Sequence, residues 1–210
     1  RINIGVQSFH DAHLRFLGRI HSARDAFLSV EWARHAGFSN IGLDLIYGLP
    51  GQGKENWIND LKLAVGFNPE HLSCYMLTYE QGTPMAEDLK KGRVTPLTED
   101  LAVGMFDAAI AYLSKNGYAQ YEISNFAVSE SKRSRHNLKY WSFAPYLGFG
   151  ASAHSYLAPD RWWNRRGVES YIHEIEAGES ASAGQETLGR EQQLMEAVYL
   201  GLRQTDGILK

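Results

Sequence analysis

The 210 residues carry 44% hydrophobic and 12% aromatic side chains, enough for one large domain, or one domain and a fragment, around a packed core. A net charge of −3 leaves no basic excess for phosphates, which argues against nucleic acid as a partner, and no apolar run approaches the roughly 20 residues of a transmembrane helix. One cysteine, Cys74, excludes an internal disulfide and any multi-cysteine metal centre within the chain; with no secretory leader in view, a cytoplasmic protein is expected.

Arg1 to Gln7 already reads as a strand, because Ile2, Ile4 and Val6 alternate with Asn3, Gly5 and Gln7. A chain that starts inside a strand, without Met, is expected to be the later part of a longer one. Ser8 to His21 reads as a polar loop with Arg15, Arg19 and three histidines. The spacing of His10 and His13 suits a metal, but scattered loop histidines are the commoner case. Ser22 is placed to cap a helix with Asp25 at its positive end; Phe27, Val30 and Ala33 recur at helical spacing, and Gly37 closes it.

Ile41 to Ile46 reads as a buried strand running into a Gly/Pro turn, with one carboxylate inside the apolar run. Alternation puts Leu43 and Leu45 on one face and Gly42, Asp44 and Ile46 on the other. An unpaired Asp44 would be costly, so it needs a partner, either backbone amides or something that approaches the small, acidic face. Gly48-Leu49-Pro50-Gly51-Gln52-Gly53-Lys54 has the spacing of a phosphate-binding loop. Glu55 stands where a hydroxyl should hold magnesium, and Pro50 removes a backbone donor, so a nucleoside triphosphatase is set aside.

A helix follows from Glu55 to Gly66, with Trp57, Leu61, Ala64 and Val65 on one side, and then a strand from Leu72 to Thr78. Gly82-Thr83-Pro84 and Gly92 mark a loop. The next helix begins after Thr98 and ends at Gly117, with Leu101, Met105, Ala108, Tyr112 and Leu113 as its buried stripe; Tyr118 to Ile123 is a short fourth strand. This alternation predicts right-handed crossovers and a parallel sheet, with too few units for a closed eight-fold barrel. In a partial barrel or open sheet, ligands bind at the carboxyl ends of the strands, where Gln7, Asp44 to Gly48, and Thr78 converge.

Beyond Ile123 the character changes. Lys132, Arg133 and Arg135 precede His136-Asn137-Leu138-Lys139-Tyr140-Trp141, a set that suits a planar anionic ligand such as a porphyrin: histidine to iron, rings to stack, basic groups to propionates. On spacing alone, an ordinary packed loop with a satisfied histidine is the better reading. Tyr146 to Tyr156 is Gly- and Ala-rich, like backbone that passes close to a ligand. Arg161 to Arg166 is basic and aromatic, and with an acidic chain it reads as tryptophan under an arginine rim rather than a single-strand platform. Gly178 to Gln185 is a small-residue linker, and Leu188 to Leu202 is a helix.

Gly5-Val6-Gln7-Ser8-Phe9, Leu17-Gly18-Arg19, Asn40 to Pro50 and Gly148-Phe149-Gly150-Ala151-Ser152-Ala153-His154-Ser155 resemble the oxygen-independent coproporphyrinogen III oxidase group of radical S-adenosylmethionine (SAM) proteins. His136-Asn137-Leu138-Lys139-Tyr140-Trp141 resembles the HNxxYW signature of that group's heme chaperone branch, and the tail from Leu188 is similar to the start of its C-terminal domain. The resemblance implies an α/β chain. Residues 1–123 would be the later part of a partial (β/α)6 barrel, 124–178 an extension with the HNxxYW loop, and 179–210 a linker and the start of a small helical domain. It implies SAM against a [4Fe–4S] cluster, and heme as the cargo. Gln7 and Asp44 match polar SAM contacts of the family, Arg19 its carboxylate-binding arginine, and Ile46, Thr78 and His154 positions around the adenosine or a second ligand. His154 stands where the oxidase carries an apolar residue. His136, Asn137, Tyr140 and Trp141 would meet heme.

The CxxxCxxC cluster motif of the family is absent, and Cys74 cannot replace it. The cluster ligands are expected upstream of residue 1, no catalytic residue is assigned here, and this chain alone is not expected to cleave SAM. The leading expectation is a heme chaperone that hands heme to respiratory proteins, cytoplasmic or peripheral at the membrane, with a homodimer left open. The alternative is the oxidase, in which a 5′-deoxyadenosyl radical abstracts hydrogen from a coproporphyrinogen propionate. A third reading is a degenerate barrel that binds neither ligand.

Overall fold

The computed structural model describes residues 1–208, so the last two positions of the expected 179–210 segment lie outside the described residues. The chain forms two compact units, Arg1–Arg133 and Ser134–Lys210.

In the first unit, β1 (Ile2–Gln7), β2 (Ile41–Tyr47) and β3 (His71–Met76) run parallel. The crossover from β1 to β2 contains α1 (Asp11–Phe16) and α2 (Ala23–His35); that from β2 to β3 contains α3 (Lys54–Gly66). Val6, Ile41, Leu43, Leu45, Leu72 and Cys74 are buried in one core with Val30 and Ala33 of α2 and Trp57, Leu61 and Ala64 of α3. The same core takes Met105, Ala109 and Leu113 from α5 (Glu99–Lys115), so Ala109 rather than Ala108 is the fully buried alanine of that helix. The other face is small and polar: Asp44 pairs with Ser73, and Asn3, Gly42 and His71 share one register row. The alternation expected for Leu43 and Leu45 against Asp44 and Ile46 holds, because the sheet buries one face under helices.

Three local expectations change. The stretch from Ser8 to His21 contains α1, pinned by the buried Leu14; six polar-rich residues give too short a periodic signal to read. The loop after Gly82 contains α4 (Pro84–Lys90), whose Ala86 N–H donates to the Thr83 hydroxyl at 3.2 Å, with Pro84 in the first turn. The fourth strand is only β4 (Ala119–Gln120), and β5 (Asn125–Ala127) lies between it and β3, antiparallel to both. A turn makes that reversal: the Ser124 N–H (3.0 Å) and the Asn125 side-chain amide both donate to the buried Glu122 carboxylate. The sheet is therefore mixed. Residues 124–133 belong to the first unit.

The Gly/Pro turn after β2 also shows why it is no phosphate cradle. Buried Gln52 accepts the Gly48 and Leu49 N–H groups at 2.8 and 3.2 Å, so the turn satisfies its own donors.

The second unit holds α6 (Arg135–Trp141), which replaces the expected HNxxYW loop. It continues with an antiparallel sheet of β6 (His154–Leu157), β7 (Asp160–Asn164) and β8 (Ser182–Thr187), with α7 (Val168–Glu176) and α8 (Arg190–Gly201). β8 occupies much of the stretch expected to be a linker. Gly184 lets the Trp163 indole lie flat on β8, since a Cβ there would meet the ring at 2.6 Å.

Candidate functional site

At the carboxyl ends of β2 and β3 the first unit opens a cavity of about 600 Å3. Its walls include Arg19, Ile46, Met76, Thr78, Glu80 and Ser124. Ile46 points here because it alternates with buried Leu45. Thr78 lies just past the end of β3, where the Leu77 N–H donates to the Tyr47 carbonyl at 2.8 Å. Ser124 is fixed by its carbonyl, which accepts the Cys74 N–H at 2.7 Å. An apolar floor with a guanidinium and a few hydroxyls suits an amphiphilic small molecule with an anionic end.

Arg19, Ile46 and Thr78 thus share one cavity. Asp44 lies deeper on the same strand as Ile46, half-buried opposite Ser73. Burial pushes its carboxyl above the usual range, and the Ser73 hydroxyl hydrogen bond works against that. Gln7 ends β1 in a left-handed conformation, φ +64°, and its amide folds back over Gly5, where a Cβ would meet Nε2 at 2.7 Å. His154 belongs to the second unit, exposed at the start of β6 and stacked on Trp163 with centroids 5.9 Å apart. Met76, Glu80 and Ser124 were not read from the sequence. The end of the third strand was the available signal for Met76, whereas Ser124 arrives through the unforeseen β5.

In the second unit the N–H of Asn137 donates to Ser134 Oγ at 3.4 Å, which caps α6. His136 and Tyr140, four residues apart, meet edge-on with centroids at 4.9 Å, and Tyr140 meets Tyr146 the same way at 4.7 Å. The Lys139 ammonium lies 4.9 and 5.6 Å from the Tyr140 and Tyr146 rings. Trp141 turns away, under the Arg203 guanidinium at 4.4 Å. His136 is exposed and open to a ligand. The cavity beside Tyr140, lined also by Phe143, Tyr146, Tyr156 and Arg161, measures about 140 Å3. That is below the ~300 Å3 at which enclosing ligand pockets begin, so α6 presents an open surface rather than a closed pocket.

For an iron–sulfur cluster the residues do not fit. Cys74 is fully buried in the core, its thiol pushed far up by burial, and among the described residues no group of three His, Cys, Asp or Glu side chains is placed for a metal.

A family model for the radical SAM superfamily matches residues 1–64. The heme chaperone HemW of Bacillus subtilis (strain 168) is 38% identical over 210 residues, covering 100% of this chain and 55% of that protein. Residues 1–64 of this chain are therefore radical SAM domain sequence. The mitochondrial radical S-adenosyl methionine domain-containing protein 1 of Danio rerio is 32% identical, covering 99% of the chain and 48% of that protein. Among solved structures, coproporphyrinogen III oxidase (HemN) from Escherichia coli, a radical SAM enzyme, aligns with a TM-score of 0.75 and 22% identity over 96% of this chain and 49% of that one. The chain therefore has the partial-barrel α/β fold expected of it, and it spans about half the length of the curated relatives it matches. SAM and an iron–sulfur cluster are the cofactors that the superfamily implies. No helix among the described residues is long and apolar enough to cross a membrane.

Proposed function

We propose that this chain is the SAM- and heme-handling part of a heme chaperone built on a radical SAM scaffold. The observation that carries the proposal is the match along the whole chain to proteins named heme chaperone HemW. Arg19 would hold the carboxylate of SAM at the cavity wall, Ile46 and Met76 would pack on its adenine, and Thr78 would add a polar contact. Asp44 would receive ribose hydroxyls, with Ser73 keeping it oriented, and Gln7 would present its amide on the same face. The chemistry that SAM supplies beside a reduced cluster is one-electron cleavage. The cluster ligands are not among these residues, and no step is assigned to them. His136 would contact iron, Tyr140 would lie against the ring, and Asn137 and Trp141 would shape the same helix. The heme would pass to respiratory acceptor proteins.

The test is a hemin titration followed in the visible spectrum, on this chain and on the full-length protein, beside His136→Ala. Saturable binding with a histidine-type spectrum that the variant loses is the expected result. Equal, non-saturable binding by both forms would overturn the α6 site. Turnover of coproporphyrinogen by reconstituted full-length protein would overturn the chaperone in favour of the oxidase.

A further inference from the structure

A buried polar cluster joins α3 to the turn after β1, and the SAM reading does not use it. Asp60, midway along α3 and completely buried, takes two donors from consecutive residues of the turn after β1. The Phe9 N–H donates to Oδ1 at 2.7 Å, and the Ser8 hydroxyl donates to Oδ2 at 2.8 Å. Ser8 is equally buried, and its oxygen then accepts from the His10 N–H and from His13 Nδ1, both at 3.1 Å. His10 Nε2, itself buried and otherwise unpartnered, lies 3.8 Å from Asp60 Oδ1. Phe9 is locked from the other side by the Phe27 and Phe67 rings, with centroids 5.0 and 6.0 Å away.

The residue held in front of this clamp is Gln7. A glutamine with positive φ is disfavoured in isolation and persists only where its surroundings over-determine it. The chain crosses it in a tight turn, the Ser8 N–H donating to the Val6 carbonyl at 2.8 Å, and the next two residues are fastened to Asp60. Beyond them α1 begins, and the Arg19 N–H donates to its Leu14 carbonyl at 2.9 Å, which sets where the Arg19 side chain leaves the backbone. A carboxylate supplies two acceptors in the geometry that two successive donors require, and an apolar residue supplies none. Burial raises the Asp60 carboxyl despite both hydrogen bonds, so the group is held at an energetic cost rather than for packing.

We propose that Asp60 is a positioning residue for the ligand cavity: it fastens the turn after β1 so that Gln7 keeps its left-handed backbone and Arg19 reaches the cavity wall. This rests on the reading of that cavity as a SAM site.

The experiment is SAM binding by calorimetry on the full-length protein, with thermal unfolding of every form, for wild type, Asp60→Ala, Asp60→Asn, Ser8→Ala, Trp57→Phe and Arg19→Ala. Trp57→Phe perturbs the core of the same helix, where the indole N–H donates to the Met105 carbonyl at 3.0 Å, and gauges stability loss without loss of the clamp. Asp60→Ala is expected to weaken SAM binding about tenfold, measured well below its melting temperature. Asp60→Asn, which keeps an acceptor for Phe9 and a partner for Ser8, restores most of the affinity; Trp57→Phe lowers the melting temperature and leaves affinity unchanged. If Asp60→Ala binds SAM like wild type while Arg19→Ala does not, the positioning role is overturned and the SAM site stands. If Arg19→Ala binds like wild type, the SAM site fails and this proposal fails with it. Should Asp60→Ala not fold, Ser8→Ala decides: it removes one of the two fastenings, and unchanged affinity overturns the proposal.

Discussion

The two candidate sites rest on different foundations. In Arg1–Arg133 the cavity stands on a sheet whose covered face is sealed by Trp57, Leu61 and Met105, and buried polar residues of the unit are tied to one another by hydrogen bonds. In Ser134–Lys210 the only buried hydrophobic side chains among the described residues are Tyr156, Ala181 and Leu188, while Leu194, Met195, Tyr199 and Leu202 of the last helical stretch are exposed. The first site is preorganised by its neighbours, the second is a helix surface of aromatic and cationic side chains. Rigid framing suits a ligand that must sit in one orientation, and an open aromatic face suits a cargo that has to leave again.

This contrast can be broken by substitution. The largest effect expected is from Trp57→Ala, which removes a fully buried indole: about 3–5 kcal/mol of stability lost from the first unit in denaturant unfolding. Hemin binding at α6 should survive it if the second site owes nothing to that core, and loss of both would dissolve the distinction.

Acid should act on the first unit next. His71 is buried with Nε2 at 2.7 Å from the Tyr121 hydroxyl; burial, and secondarily the nearby Arg1 charge, lowers its pKa from 6.5 to about 4. The unfolded chain takes up the proton first, so stability is intact above about pH 6.5 and falls as pH drops towards 4, by about 3 kcal/mol over that window. His71→Gln should flatten this part of the stability profile, measured as denaturation midpoint against pH, and an unchanged slope would refute the assignment.

Arg19→Ala should weaken SAM binding by about 1.5–3 kcal/mol, the worth of a hydrogen bond to a charged group, with little change in melting temperature. A variant that melts early but binds normally would make Arg19 part of the frame instead. The smallest effect concerns the second unit. Lys139→Met removes the cation over Tyr140 and Tyr146 and should cost about 0.5–1 kcal/mol in thermal unfolding, since the ammonium is only partly desolvated.

What the sequence determined by itself is whatever its near neighbours dictate. The alternation of Ile41 to Tyr47 placed Leu43 and Leu45 against helices and Asp44 and Ile46 on the opposite, half-buried face. Ser22 and Asp25 make the capping box that starts α2, an exchange between residues three apart. The spacing of Trp57, Leu61 and Ala64 marked the core stripe of α3 in the same way. Gln52 shows the limit of a motif: the glycine spacing was legible, but the side chain that uses up its donors was not. Only the tertiary structure decided that β5 slips antiparallel between β3 and β4 and so brings Ser124 to the cavity. It alone decided that Arg19, Ile46 and Thr78 share that cavity, and that Asp60 reaches back across 51 positions to Phe9. Periodicity and caps act over one or two turns and leave a pattern along the chain. The partner of a buried carboxylate is chosen by which distant donors the packed core leaves beside it, and no local pattern encodes that choice.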